Sequence, residues 1–227
     1  MSARYTPGER KASIPTRVAE AEPVTAELLL LLKQETQKAH LDIERSARFL
    51  DNDAGEAEYA DYLARQLGFY EPMEARLCAI CAAAGAVRLD MEHRRKAQLI
   101  AQDLSALGHT AAELAQLPRC PASELPPLSG LQEALGCLYV FEGATLGGRY
   151  VHHHLSQRLP AIVERAGGFL RGYGPDTRSR WLEFGQALAL YAQGPRTIVR
   201  SAQATFLALH KWLLAGQARG LSKAATG

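Results

Sequence analysis

The sequence predicts an all-α fold, a single multi-helical domain, on three observations. Alanine and leucine dominate while β-branched residues are sparse, a balance that favours helix over strand. Apolar residues recur at three- and four-residue spacing in stretch after stretch, and no segment alternates convincingly with a period of two. Glycine, proline and capping residues punctuate these stretches at intervals that suit about seven or eight helices in one layer-packed domain.

The elements follow in order. Residues 1–23 are polar and proline-dotted, without the apolar stretch of a signal peptide, and are expected to form a disordered tail ahead of a helical domain over 24–216. The first helix starts near Thr25 and ends near Phe49, with Leu29, Leu32, Thr36, Ala39, His40 and Ile43 on its inward stripe. Asp51, Asn52 and Asp53 then make a turn and cap a second helix from Glu56 to Ala84, which Pro72 should kink or break. A third helix is expected from Leu89 to Leu107, with Gly108 as its stop, and Thr110 with Glu113 has the spacing of a capping box for a short fourth. Prolines 118, 121, 126 and 127 make residues 118–130 a stiff connector. Leu131 to Leu159 reads as one long helix interrupted by Gly136, Gly143, Gly147 and Gly148, followed by a glycine-rich loop, a helix capped by Asp176 or Thr177, and a last helix after Gly194-Pro195. Residues 217–227 are expected to be a flexible C-terminal tail.

Composition excludes several functions. The net charge is only +2 over 227 residues, too little for a nucleic-acid footprint. No apolar run approaches the length that spans a membrane. Cys78 and Cys81 have C-x-x-C spacing but lie in a helical stretch without the βαβ context of a redox motif, and no second pair completes a zinc site. The four cysteines are expected as free thiols in a reducing cytoplasm. Arg94-Arg95-Lys96 reads as a solvated helix face. His152-His153-His154 cannot converge on one ion, because consecutive helical residues point about 100° apart.

Two features ask for more than packing. His40 lies on an inward stripe, and Lys33 stands seven residues earlier, two turns away, with only about 20° of rotation and on the order of 10 Å of rise between them. A flat cofactor with a metal at its centre and anions at one edge could meet both. The glycines are the second feature. Each glycine inside a helix costs roughly 0.5–1 kcal/mol relative to alanine, so four in one helix require an offset. Either another helix packs very closely there, or a flat ligand lies against the backbone.

Two segments carry a resemblance. Leu32-Lys-Gln-Glu-Thr-Gln-Lys-Ala-His40 resembles the proximal segment of the haem oxygenases, and Leu138-Tyr-Val-Phe-Glu-Gly-Ala-Thr-Leu-Gly-Gly148 resembles the distal-helix signature of their bacterial, bacteriophytochrome-associated branch. The likeness extends over about residues 25–215 and includes Ala204-Thr-Phe206 and Trp212-Leu213. It implies cleavage of haem, both cofactor and substrate, to biliverdin, most simply the IXα isomer, with release of CO and ferrous iron. It further implies O2, electrons from a ferredoxin or reductase, and a bacteriophytochrome as possible acceptor of the bilin. Carried over by residue, His40 is the proximal iron ligand, Lys33 a propionate partner, Gly143, Gly147 and Gly148 the distal backbone, and Tyr70 a distal-pocket tyrosine. Arg178 and Arg180 are candidates for further propionate contacts. One departure stands out: animal members place an aspartate directly after the glycine corresponding to Gly143, and here that residue is Ala144. Proton delivery would then fall to Thr145, Tyr70 or water held by backbone carbonyls. Two alternatives remain at this level: a haem-binding protein without turnover on the same scaffold, and a thiaminase-like hydrolase with Cys137 as nucleophile.

Overall fold

The computed structural model describes residues 17–45 and 54–224, with side chains for 26–44 and 54–215. Among these residues there are ten α-helices and no strand: α1 Arg17–Arg45, α2 Glu56–Ala83, α3 Met91–Arg94, α4 Ala97–Ala106, α5 Ala111–Gln116, α6 Leu131–Arg158, α7 Pro160–Ala166, α8 Gly168–Arg171, α9 Thr177–Tyr191 and α10 Pro195–Ala224. α1 begins at Arg17 and runs through Pro23, and α10 continues to Ala224, so helix reaches into both expected tails. The Asp51–Asp53 turn and residues 1–16 lie outside the described residues.

α2 shows why the expected break at Pro72 does not occur. Its buried stripe of Tyr59, Leu63, Leu67, Tyr70, Met73, Leu77 and Cys81 is continuous across the proline. Proline has no N–H for the carbonyl four residues back, which is that of Gly68. That carbonyl takes the Cys120 N–H instead, at 2.9 Å. Gly68 is itself the point of close approach, since a Cβ there would lie 2.5 Å from the Pro118 carbonyl oxygen and 2.8 Å from Trp212. The proline-rich connector therefore docks where the helix lacks a donor. Gly85 (φ 62°) closes α2 in the left-handed conformation that glycine adopts without strain.

The expected third helix is not continuous. Asp90 (φ 47°) and the extended Arg95 divide it into a 3-10 turn at Val87–Leu89, α3 and α4. Thr110 caps α5 by the reciprocal bonds of the capping box, accepting from the Glu113 N–H while its own N–H donates to the Glu113 carboxylate. Where a loop was expected after α6, two short helices, α7 and α8, intervene, and Asp103 of α4 receives the first two amides of α8, from Gly168 and Phe169.

α6 is the central element. From Ala134 to Glu142 nearly every residue is buried, whereas Ala144, Leu146, Gly147, Arg149 and Tyr150 are exposed. The helix thus crosses the core with its first half and emerges with its second. Gly136 lets α10 approach: a Cβ there would lie 2.2 Å from the Ile198 carbonyl oxygen and 2.7 Å from Ser201, whose hydroxyl donates to the Glu133 carbonyl at 2.6 Å. Gly136→Ala should destabilise the protein by about 1–3 kcal/mol, the usual range for overpacking. Urea unfolding checks this; an unchanged midpoint would show that α10 has slack at this crossing.

Candidate active site

α1 and α6 both run beside α10 in its own direction. On α1, Leu31 shares a groove with Val199, the Glu35 carbonyl accepts from Gln203, and His40 meets the edge of Phe206 at 5.9 Å. On α6, Gln132 accepts from the Gly194 N–H, the Glu133 carbonyl accepts from Ser201, and Cys137 is hydrogen-bonded to Thr205. Residue numbers climb together in both series, so the helices ascend in step. They come together where the Tyr139 hydroxyl approaches Thr36, whose own hydroxyl donates to the Leu32 carbonyl. One turn further on, four residues in each helix, stand His40 and Gly143.

Beyond that contact a Cβ at Gly143 or at Gly147 meets nothing within 4 Å among the described residues. These two residues are four apart and share one face of α6, whose exposed apolar neighbours are Leu146 and Tyr150. Gly148 does something different: a Cβ there would lie 2.9 Å from the Leu170 carbonyl oxygen. Both reasons for glycine weighed from the sequence therefore apply, to different residues. Gly136 and Gly148 admit neighbouring backbone, while Gly143 and Gly147 bare the helix backbone to a cleft.

His40 is not sealed inside the stripe but stands at its edge. Its side chain is 50% exposed and its Nδ1 faces the Glu44 carboxylate at 3.4 Å. Leu32 and Thr36 form the buried stripe, and Lys33 is exposed. Ala144 is exposed beside Gly143. Thr145 and Tyr70 lie elsewhere. The Thr145 hydroxyl donates to the Phe141 carbonyl, and its methyl occupies the position a Cβ on Gly172 would need. Tyr70 is buried and stacks on Phe141 at 4.2 Å. Phe141 and Thr145 are each about 160° round α6 from Gly143. Arg178 is exposed, and Arg180 is committed to Asp90 at 2.8 Å and Glu183 at 3.2 Å.

The largest departure from the sequence expectation is behind α6. Arg94 and Lys96 are buried, not solvated; only Arg95 between them is exposed, because its extended backbone turns its two neighbours inward. The Arg94 guanidinium donates to Glu142 at 2.7 Å, to the Leu89 carbonyl at 2.6 Å and to the Arg180 carbonyl at 3.3 Å. The Tyr173 hydroxyl donates to the other Glu142 oxygen at 2.8 Å. The Lys96 ammonium lies 3.6 Å from the centre of the Tyr173 ring and donates to the Arg94 carbonyl. Burial pushes the Lys96 pKa down to about 8, against the pull of Glu142 and Glu74. Burial also raises that of Glu74, which accepts the Lys96 and Ala97 N–H groups. The sequence signal was Glu142 itself, a lone charge in an apolar run immediately before Gly143.

The remaining candidates fall away. Cys137 is fully buried, and burial pushes its thiol up to about 12, the reverse of what a nucleophile needs. The four cysteines are free thiols. Of the histidine triplet only His153 is exposed, and no group of three or more potential metal-binding side chains occurs among the described residues. No described helix is long and apolar enough to cross a membrane.

Removing Glu142 would leave the Arg94 charge buried and unpaired. Glu142→Ala should cost about 3–5 kcal/mol, and Tyr173→Phe about 0.5–1.5 kcal/mol for a single hydrogen bond. Chemical denaturation of the two variants tests the order; equal losses would mean that Arg94 finds another partner.

Comparison with known proteins bears on the family and the fold. No curated protein sequence matches the chain. Among solved structures, the NO- and CO-bound heme oxygenase from Neisseria meningitidis is similar in fold, with a TM-score of 0.68 and 21% identity over 83% of this chain and 91% of that one. The family profile named Heme oxygenase matches residues 26–215. With that profile covering the described domain from α1 to α10, and an all-helical fold to match, the chain belongs to the haem oxygenase family of haem-degrading oxidoreductases.

Proposed function

We propose that the protein opens haem to biliverdin, with release of CO and ferrous iron, and that the macrocycle lies between α1 and α6. The observation that carries this is the bared backbone at Gly143 and Gly147, one turn beyond the Thr36–Tyr139 contact and level with His40. A side chain at either glycine would stand in the space a flat ring needs, and the chain accepts two glycines in a helix where no neighbour among the described residues requires them.

When bound, haem supplies both the iron that binds O2 and the carbon that is oxidised. The protein's part is to hold and to exclude. His40 presents an imidazole to the cleft, with Glu44 facing Nδ1 and so leaving Nε2 as the ligand nitrogen. Phe206 packs edge-on beside that ring and fixes its tilt. Lys33, exposed on the same face of α1, is placed to pair with the propionates; Arg178 is the further candidate, since the Arg180 guanidinium already holds two carboxylates. On the far wall, Gly143 and Gly147 allow the backbone to approach the ring edge and restrict the space left for a diatomic ligand. With Ala144 in place of an acid, and the Thr145 hydroxyl committed behind the helix, protons reach the cleft through water held by the carbonyls around Gly143. Electrons come from an external ferredoxin or reductase, the IXα isomer is the expected product, and a bacteriophytochrome is the acceptor we favour.

Ala144 also favours one other reading, a haem carrier without turnover. Haemin added to the protein should give a sharp Soret band, and ascorbate or reduced ferredoxin under air should convert it to biliverdin absorbance in the red. A Soret band that persists under reductant leaves only the carrier; no Soret band at all overturns both. His40→Ala should abolish the native axial-ligand spectrum, and an unchanged spectrum would place the ligand elsewhere. Gly143→Leu should keep the fold, because its side chain enters open space, yet weaken haemin binding at least tenfold. Equal haemin titrations for Gly143→Leu and wild type would remove α6 from the site.

A further inference from the structure

α6 carries a second concavity on the side away from Gly143. It is a pocket of about 250 Å³ lined by Arg149 and His152 of α6, Arg171 at the end of α8, and Gly174 and Pro175. Arg149 and His152 stand about 120° and 180° round the helix from Gly143, so the cleft between α1 and α6 does not include them.

The lining is cationic and incompletely satisfied. None of the lining residues is acidic. Arg149 has no hydrogen-bond or ion-pair partner among the described residues. The Arg171 guanidinium has one, the Val163 carbonyl at 3.2 Å, which orients it; it makes no ion pair among the described residues, and Asp103 is the carboxylate that acts on it from further off. His152 Nδ1 lies 3.4 Å from the Ser156 hydroxyl, and its Nε2 is shut off from solvent with no hydrogen-bond partner among the described residues. Burial, with Arg171 and His153 nearby, holds the imidazole pKa below its ordinary value, so the standing charge comes from the two guanidinium groups.

We infer that this pocket binds a small oxyanion of the phosphate type, clamped between Arg149 and Arg171. Two guanidinium forks suit the tetrahedral oxygens of phosphate. The volume is below the roughly 300–1,000 Å³ of sites for drug-sized ligands, so it fits phosphate or the head of a small phosphate monoester. Bound there, the anion would tie α8 to the emergent half of α6, along the seam where Gly148 meets Leu170 and Gly172 meets Thr145.

The test is calorimetric titration of the full haem-free chain at low ionic strength with inorganic phosphate, with glycerol 3-phosphate, and with sodium chloride at matched ionic strength. Saturable one-site binding of phosphate, absent for chloride, is expected. Comparable binding of glycerol 3-phosphate assigns a monoester as ligand, and binding of phosphate alone assigns the free anion. Arg149→Gln should weaken phosphate binding at least tenfold with an unchanged phosphate-free melting temperature, because Arg149 holds no structural partner. Phosphate heats no different from those of chloride, or wild-type phosphate affinity in Arg149→Gln, would overturn the site.

Discussion

The buried pair between Arg94 and Glu142 is the constraint on which the site depends. Glu142 precedes Gly143, so whatever holds its carboxylate holds the first residue of the bared backbone. Arg94 fixes it from the α3–α4 turn, Tyr173 from the segment before α9, and Arg94 in turn grips the Leu89 and Arg180 carbonyls. Two side chains from separate parts of the chain thus converge behind α6 on one carboxylate, and Arg94 links it to two further carbonyls. Such a pair contributes little net stability compared with well-packed apolar residues, because desolvating both charges offsets their attraction. Its value is positional. An apolar contact tolerates sliding, whereas a charge at 1% exposure has few low-energy alternatives.

The same logic explains how α6 can carry glycines without fraying. Its first half is buried on all sides and clamped to α10 through Gly136. Its second half loses packing on the cleft face but gains it behind, through Thr145 on Gly172 and Gly148 on Leu170. The helical penalty at Gly143 and Gly147, roughly 0.5–1 kcal/mol each, is met by contacts on the opposite face. The connector on α2 works similarly: the carbonyl orphaned by Pro72 is supplied by Cys120 from another part of the chain.

These long-range repairs mark the limit of what the sequence discloses. Helix periods, the Thr110–Glu113 cap, the proline connector and the length of α6 are local, and they are legible in the chain. His40 and the glycine cluster also stand out in the chain as departures from a plain helical pattern. Pro72 was not legible, because its compensation lies at Cys120. The break of the third helix was not legible either, because Asp90 and Arg95 carry no breaker signature. Their backbone geometry is set by Glu74 and Glu142, which draw Lys96 and Arg94 inward. A run of three cations reads as solvent-facing until one knows that the middle residue is extended. The division of the glycines into packing and baring residues needed the positions of α8 and α10.

The geometry of α6 also bears on how protons enter. Of the side chains proposed to deliver them, Thr145 lies about 160° round α6 from Gly143 and donates to a backbone carbonyl, and Tyr70 stacks on Phe141, which lies about as far round. Moving either into the cleft would break the contacts that hold the helix in place: the Thr145 seam with Gly172, or the stack of Tyr70 on Phe141. An acid at position 144 would not have this difficulty, since that position is exposed beside Gly143 and points about 100° round from it. With alanine there, the glycine face offers backbone groups alone. Backbone carbonyls within a helix are already accepting, yet each retains a second lone pair able to hold water. A proton route built on them requires α6 to be rigidly placed, and the Arg94–Glu142 pair supplies that rigidity from behind.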